Sequence, residues 1–246
     1  MHDRAGQKAL PEDLVDIEAL LSAYYDVVPD VNQPDQKVAF GTSGHRGTST
    51  NGTFNEAHIV SITAAIVEYR KEQGTDGPLF VGADPHALSE PAWRSALEVL
   101  SAAGVDTRID SRRSWTPTPA VSLAILEANG APEDLRQTGP GLADGIVITP
   151  YGGPADSDAT TWIANRANEY LAGSWREVPR DRTSNPEDIP NVSFYDYTTK
   201  YVAALETIID FDEIRRAGIR IGADPMGGAA VNYWAAIGEH YGLDLE

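Results

Sequence analysis

The sequence predicts an α/β protein, and three observations carry that expectation. Short apolar runs (79–81, 105–109 and 145–149) alternate with longer segments of helical apolar spacing. The pattern Val81-Gly82-Ala83-Asp84-Pro85 before a Trp93-containing helix returns as Ile221-Gly222-Ala223-Asp224-Pro225 before a Trp234-containing helix. Helix exits repeat as well, Ala103-Gly104-Val105-Asp106 matching Tyr241-Gly242-Leu243-Asp244. Two related α/β units are the simplest reading.

The elements follow in order. Leu14, Ile17, Leu21 and Tyr24 recur at helical spacing and predict an N-terminal helix that ends before Pro29. After a polar stretch come Val38-Ala39-Phe40, the glycine-rich run 41–47, and a helix over 55–73. Asn55 is suited to cap that helix, Ile59, Ile62 and Ile66 form its apolar stripe, and Gly74 stops it. The strand at 79–81 leads to a helix over 89–103, with Ser89 as its expected cap, Pro91 in its first turn, and Trp93, Leu97 and Leu100 facing the core. A helix over 119–129 separates the strands at 105–109 and 145–149. Residues 176–191, rich in Pro, Arg, Asp and Ser, read as a linker or a long loop. We therefore expect a first domain over 1–185 and a second beginning at 186. The second holds a helix over 198–209, a strand over 219–222 and a helix through Trp234. It stops where its next strand is due, which reads as an incomplete domain.

Composition excludes several function classes. With 41% hydrophobic and 23% charged residues the 246-residue chain is globular in type, and no apolar run approaches the roughly 18 residues of a membrane span. The polar first 14 residues do not read as a secretory signal, so a cytoplasmic setting is expected. No cysteine is present to form a disulfide, a thiolate metal site or a cysteine nucleophile. A net charge of −18 argues against nucleic acid, because the densest basic runs, Arg112-Arg113 and Arg215-Arg216, read as ordinary solvated surface. A small anion needs only a few amides and one arginine.

Phe40-Gly41-Thr42-Ser43-Gly44-His45-Arg46-Gly47 offers that combination. Three glycines permit positive-φ turns that aim N–H groups inward, Thr42 and Ser43 add hydroxyls, and Arg46 adds a forked cation. The run is neither a Walker A loop nor a dinucleotide fingerprint. Read from its residues alone it is equally a phosphate cradle or a plain glycine-rich loop. Two further segments reach the same expected edge of the sheet: the apolar run ending at Thr149-Pro150, and Asp84-Pro85-His86-Ala87-Leu88-Ser89, which reads equally as a turn with a helix cap.

Taken together, 40–47, 81–84 with 86–90, Thr116-Pro117-Thr118-Pro119-Ala120, 142–150, Gly153-Pro154-Ala155-Asp156 and Asp224-Pro225 with Gly227-Gly228 resemble the bacterial phosphoglucomutases of the α-D-phosphohexomutase superfamily. The resemblance spans nearly the whole chain. It implies a phosphohexomutase-type first domain and the start of a similar second one. In that family four domains surround a cleft, and a phosphoserine exchanges its phosphoryl group with glucose 1- or 6-phosphate through a glucose 1,6-bisphosphate intermediate, assisted by Mg2+. By position the resemblance makes Arg46 and His45 catalytic, and Thr42, Ser43, Gly44 and Thr149 binders of substrate phosphate. The expected ligand is a small sugar phosphate.

One departure stands out. The family continues from Thr-Pro into a Ser-His-Asn-Pro loop, whereas here Pro150 runs directly into Tyr151-Gly152-Gly153-Pro154. The nucleophile loop is missing from the sequence, and Ser157 sits on an expected helix start. No metal ligands are identifiable either, the family's aspartate metal loop being expected beyond Glu246. Two explanations stand, an omitted surface loop with everything downstream or a shortened relative, and the clean junction favours omission. A polypeptide of this literal sequence is expected to be inactive. Another hexose-phosphate mutase, acting on mannose or glucosamine phosphates, and a non-catalytic phosphosugar-binding fragment remain the alternatives.

Overall fold

Alternation of side chains along the short strand Leu79–Phe80 (β1) divides the core in two. Leu79 and Val81 join one buried cluster, while Phe80 joins another on the opposite face of the sheet. In the computed structural model, residues 4–41, 44–130, 140–146, 152–183, 185 and 188–246 are described. Parallel strands occur in the spatial order β3 (Asp144–Gly145), β1, β2 (Thr107–Asp110) and β4 (Val192–Tyr195). A parallel sheet buried on both faces needs helices on each, and this one has them.

On the Leu79 face pack α2 (Glu56–Gln73), α3 (Ser89–Ala102) and α5 (Ser157–Glu169), with Ile62, Ile66, Leu97, Leu100 and Ile163 buried between them. On the Phe80 face lie α4 (Thr118–Asn129) and α6 (Tyr197–Ala204), through Val121, Ile125, Tyr197 and Val202. The same cluster continues into Phe211 of α7 (Phe211–Ala217) and into Tyr233 and Tyr241 of α8 (Val231–Tyr241). Beside α8, β5 (Arg220–Ile221) pairs in parallel with β6 (Asp244–Leu245).

The internal repeat is reproduced in detail. Oδ1 of Asp84 accepts the N–H of His86 at 2.9 Å, and Oδ1 of Asp224 accepts the N–H of Met226 at 2.8 Å, so each strand leaves through the same side-chain-closed turn. The helices that follow lead to left-handed glycines, Gly104 at φ +73° and Gly242 at φ +63°.

Several expectations shift. The first helix, α1 (Ile17–Asp26), starts at Ile17 because Asp16 caps it, accepting from Ala19 N at 3.0 Å. It buries Leu20 and Tyr24 and leaves Leu14 and Ile17 exposed, since the Tyr24 hydroxyl is drawn to Ser95 Oγ at 3.0 Å. Helix α2 is buried on more than the isoleucine stripe, with Val60, Ala65 and His58 also inside. Ser89 does not cap α3. Its hydroxyl donates instead to Asp84 Oδ1 at 2.8 Å.

Strand β4 is not legible as a strand in the sequence, and it joins the first sheet although it lies past residue 185. Helix α7 is likewise unforeseen, and the helix expected over 198–209 ends at Ala204, giving way to a 3-10 turn over Leu205–Thr207. Arg112 pairs with Asp196 at 3.4 Å, and Arg215 and Arg216 pair with Asp212 and Glu213 on the surface of α7. The stretch read as a linker or a long loop is a tied-down loop. Arg180 is buried and reaches Glu56 of α2 and Glu98 of α3, both at 2.6 Å. Among the described residues no helix is long and apolar enough to cross a membrane.

Candidate functional site

Ligand loops of open α/β sheets leave from the carboxyl ends of the strands, and the described part of the glycine-rich run meets one there. His45, Arg46 and Gly47 line a cavity of about 300 Å³ together with Phe54, Asp84, His86, Leu88 and Ser89. The first and third sequence candidates therefore converge on one hollow beyond β1. Arg46 is exposed and lines this space. Thr42, Ser43 and Thr149 lie outside the described residues.

The three glycines have different roles. Gly44 takes φ +131°, and the Gly41 N–H donates to the Gly44 carbonyl at 3.2 Å, closing the turn. That amide is thus engaged within the loop. Gly47 is required by proximity, because a Cβ there would lie 2.3 Å from the Thr53 carbonyl oxygen.

His45 is half-buried in a stack of rings, 6.0 Å from Phe54 and 4.9 Å from His58 between centroids. Burial lowers its pKa, and the deeper His58 is pushed down to about 4 by the same cause. Both rings are neutral near pH 7. Arg46 is accordingly the cation that the described part of the run brings to the cavity.

Two asparagines that carried no sequence signal fix the approaches. Asn168 of α5 brackets Val38, its Oδ1 accepting the Val38 N–H at 2.8 Å while its Nδ2 donates to the Val38 carbonyl at 2.9 Å. Asn129 of α4 treats Ala143 the same way, at 2.7 and 2.9 Å. Each side-chain amide replaces a missing strand neighbour, one ahead of the glycine loop and one ahead of β3. Arg70 of α2 forms a buried ion pair with Asp144 at the start of β3. A lone Asn on a helix is indistinguishable in sequence from any polar surface residue.

Magnesium, which the family implies, finds no fit here. Among the described residues no cluster of three or more His, Asp or Glu side chains is placed to hold a metal ion, so no step below runs through it.

A three-layer α/β/α domain with an arginine-bearing glycine loop over its strand ends defines the class: an α/β domain that presents its loops at the carboxyl edge of a parallel sheet. Residues 37–172 match the sequence model of phosphoglucomutase/phosphomannomutase, alpha/beta/alpha domain I, and the chain belongs to that family. A curated phosphoglucomutase of Komagataeibacter xylinus is 47% identical over 98% of this chain. The chain spans 45% of that relative's length. Two solved structures share the fold. One is a Thermus thermophilus protein designated a phosphomannomutase (TM-score 0.61, 20% identity, 85% of this chain and 44% of that one). The other is the open form of pp63/parafusin, a Paramecium phosphoglucomutase (TM-score 0.63, 18% identity, 89% of this chain and 44% of that one).

Proposed function

We propose that this chain supplies the phosphate-handling domain of a phosphoglucomutase that interconverts glucose 1-phosphate and glucose 6-phosphate through a phosphoserine and glucose 1,6-bisphosphate. The observation that carries this reading is Arg46, presented by a glycine-closed turn to a cavity at the sheet's carboxyl edge, in a chain 47% identical to a phosphoglucomutase. Glucose as the hexose rests on that relative alone. Mg2+ as cofactor, the bisphosphate as activator and a cytoplasmic setting belong to the same reading of the complete enzyme.

In this reading the Arg46 guanidinium offsets charge on the phosphoryl group as it transfers. His45, held neutral by burial, supports the loop and can exchange hydrogen bonds without adding charge. Thr42 and Ser43 supply hydroxyls, and Gly44 and Thr149 flank the phosphate. Residues 1–185 form the first domain and 186–246 open the second, with β4 as the strand by which the second segment completes the first sheet. Because Pro150 is followed directly by Tyr151, no serine occupies the family's nucleophile position, and the literal chain binds phosphate without turning over substrate.

The test is calorimetric titration with inorganic phosphate and glucose 1,6-bisphosphate. Arg46→Ala should weaken binding by about 1.5–3 kcal/mol, the range for a hydrogen bond to a charged group, with the circular dichroism spectrum unchanged. Equal phosphate affinity in the two proteins would defeat the cradle. A separate assay of the literal chain with magnesium and the bisphosphate should show no conversion of glucose 1-phosphate.

A further inference from the structure

His58 is fully buried on the first turn of α2, outside the glycine-rich run, and in the sequence it is one more residue of a helix. It stands at the third helical position, where Glu or Gln commonly reaches back to the capping residue. Here an imidazole does so: Nδ1 accepts the Asn55 N–H at 3.1 Å while Nε2 donates to the Gln36 carbonyl at 2.9 Å. Those partners are themselves fixed. Gln36 Oε1 accepts the Asp30 N–H at 2.7 Å, and Asn55 Nδ2 donates to the Ala23 and Ser49 carbonyls at 2.7 and 3.1 Å. Both edges of the His58 ring are thus tied to backbone groups of two separate segments, which sets the plane of the ring.

A Glu or Gln would serve the cap without offering a face. The His58 ring offers one, and His45 lies on it, with centroids 4.9 Å apart and planes 27° from parallel. His45 also stacks on Phe54, at 6.0 Å and 10°, and Phe54 in turn packs against buried Leu20, Tyr24 and Leu88. The Ala39 N–H donates to His45 Nδ1 at 3.4 Å. Fixed groups therefore limit how far the His45 side chain can turn. Arg46 is the next residue along the chain, so a displaced His45 carries the guanidinium with it, and arginine–phosphate bonds are demanding in geometry.

We propose that His58 is a positioning residue for the anion loop: through its ring face it holds His45, and with it sets where Arg46 stands over the cavity. This role is separate from the capping of α2, and it rests on the phosphate reading of that cavity. Two substitutions divide the roles. His58→Gln keeps a side chain of the usual capping kind and removes the ring face. His58→Phe keeps the ring face and leaves the Asn55 N–H and the Gln36 carbonyl without their partner. Ile66→Ala, at a buried α2 residue outside the ring stack, controls for lost stability alone.

Each variant is titrated calorimetrically with inorganic phosphate, unfolded in urea, and followed by amide hydrogen exchange over 44–47. His58→Gln should weaken phosphate binding roughly three- to tenfold, the scale of one lost ring contact, and speed exchange in the loop. His58→Phe should unfold at lower urea than His58→Gln and yet bind phosphate within about twofold of the unchanged chain. Ile66→Ala should lower the urea midpoint and leave affinity and loop exchange unchanged. The proposal is overturned if His58→Gln matches the unchanged chain in affinity and exchange, if a folded His58→Phe loses as much affinity as His58→Gln, or if affinity falls in step with stability across the variants. Should His58→Phe not fold, the comparison of His58→Gln with Ile66→Ala decides. Should the unchanged chain bind no phosphate, the phosphate reading falls; faster loop exchange in His58→Gln but not in Ile66→Ala then upholds the positioning of the loop, and equal exchange overturns it.

Discussion

Single residues around the glycine loop answer to different physical demands. Gly47 sits where a methyl group would strike the Thr53 carbonyl, whereas a Cβ at Gly41 meets nothing within 4 Å. We therefore expect Gly47→Ala to cost about 1–3 kcal/mol, as overpacking does, and Gly41→Ala to stay within about 0.5 kcal/mol. Urea unfolding of both variants checks this, and equal midpoints would refute it. His58 makes a second case. Its Nδ1 accepts from Asn55 N–H at 3.1 Å and its Nε2 donates to the Gln36 carbonyl at 2.9 Å, an arrangement that only the neutral ring can make. Burial lowers its pKa from the ordinary 6.5 to about 4. Between those values the unfolded chain binds the proton and the folded chain does not. Stability from this group is complete above pH 6.5 and is lost as pH falls toward 4, by on the order of 3 kcal/mol. His45 adds a change of the same sign. Urea midpoints at pH 7 and pH 5 should differ accordingly, and His58→Gln should flatten the difference while lowering the midpoint at pH 7.

At the scale of elements, side-chain amides do the work of absent strands. Val38 precedes the glycine loop without a strand partner, and Asn168 of α5 satisfies both its N–H and its carbonyl. Asn168→Ala leaves those two groups unpaired, at an expected cost of about 2 kcal/mol, and it frees the approach to Arg46. The expected signature is a lowered melting temperature together with weaker phosphate binding. A melting change with full phosphate affinity would separate the α5 contact from the site. Apolar spacing located α2 and α3, where Ile62 and Ile66, and Leu97 and Leu100, are buried against the sheet. It could not reveal β4, whose residues are half-buried or exposed and which is fixed by pairing with β2. Helix α7 escaped for a related reason, since seven residues with a single buried side chain, Phe211, give no periodic signal.

Across the whole molecule the net charge of −18 sets a self-repulsion that the compact state must bear. Raising monovalent salt from low ionic strength to about 0.15 M shortens the screening length to about 8 Å, less than the distance between many surface carboxylates. The melting temperature should rise by several degrees over that range. A fall would show that the ion pairs, among them Arg180 with Glu56 and Glu98, outweigh the repulsion. The two α/β units also share one apolar cluster, from Phe80 and Ile125 through Val202 to Tyr233 and Tyr241. The internal repeat predicted two units but not their common core.

The sequence by itself determined the α/β class, the duplicated strand-turn-helix unit and the place of Arg46 in a glycine-rich loop. Each is written in local patterns: apolar spacing, turn chemistry and a motif of eight neighbouring residues. Tertiary structure alone decided that Arg46 shares a cavity with Asp84 and His86, and that Asn168 and Asn129 bracket the approaches to the loop and to β3. These groupings join residues far apart in the chain, and what brings them together is burial of both faces of a parallel sheet, a driving force that depends on total apolar area and leaves no mark at any one position.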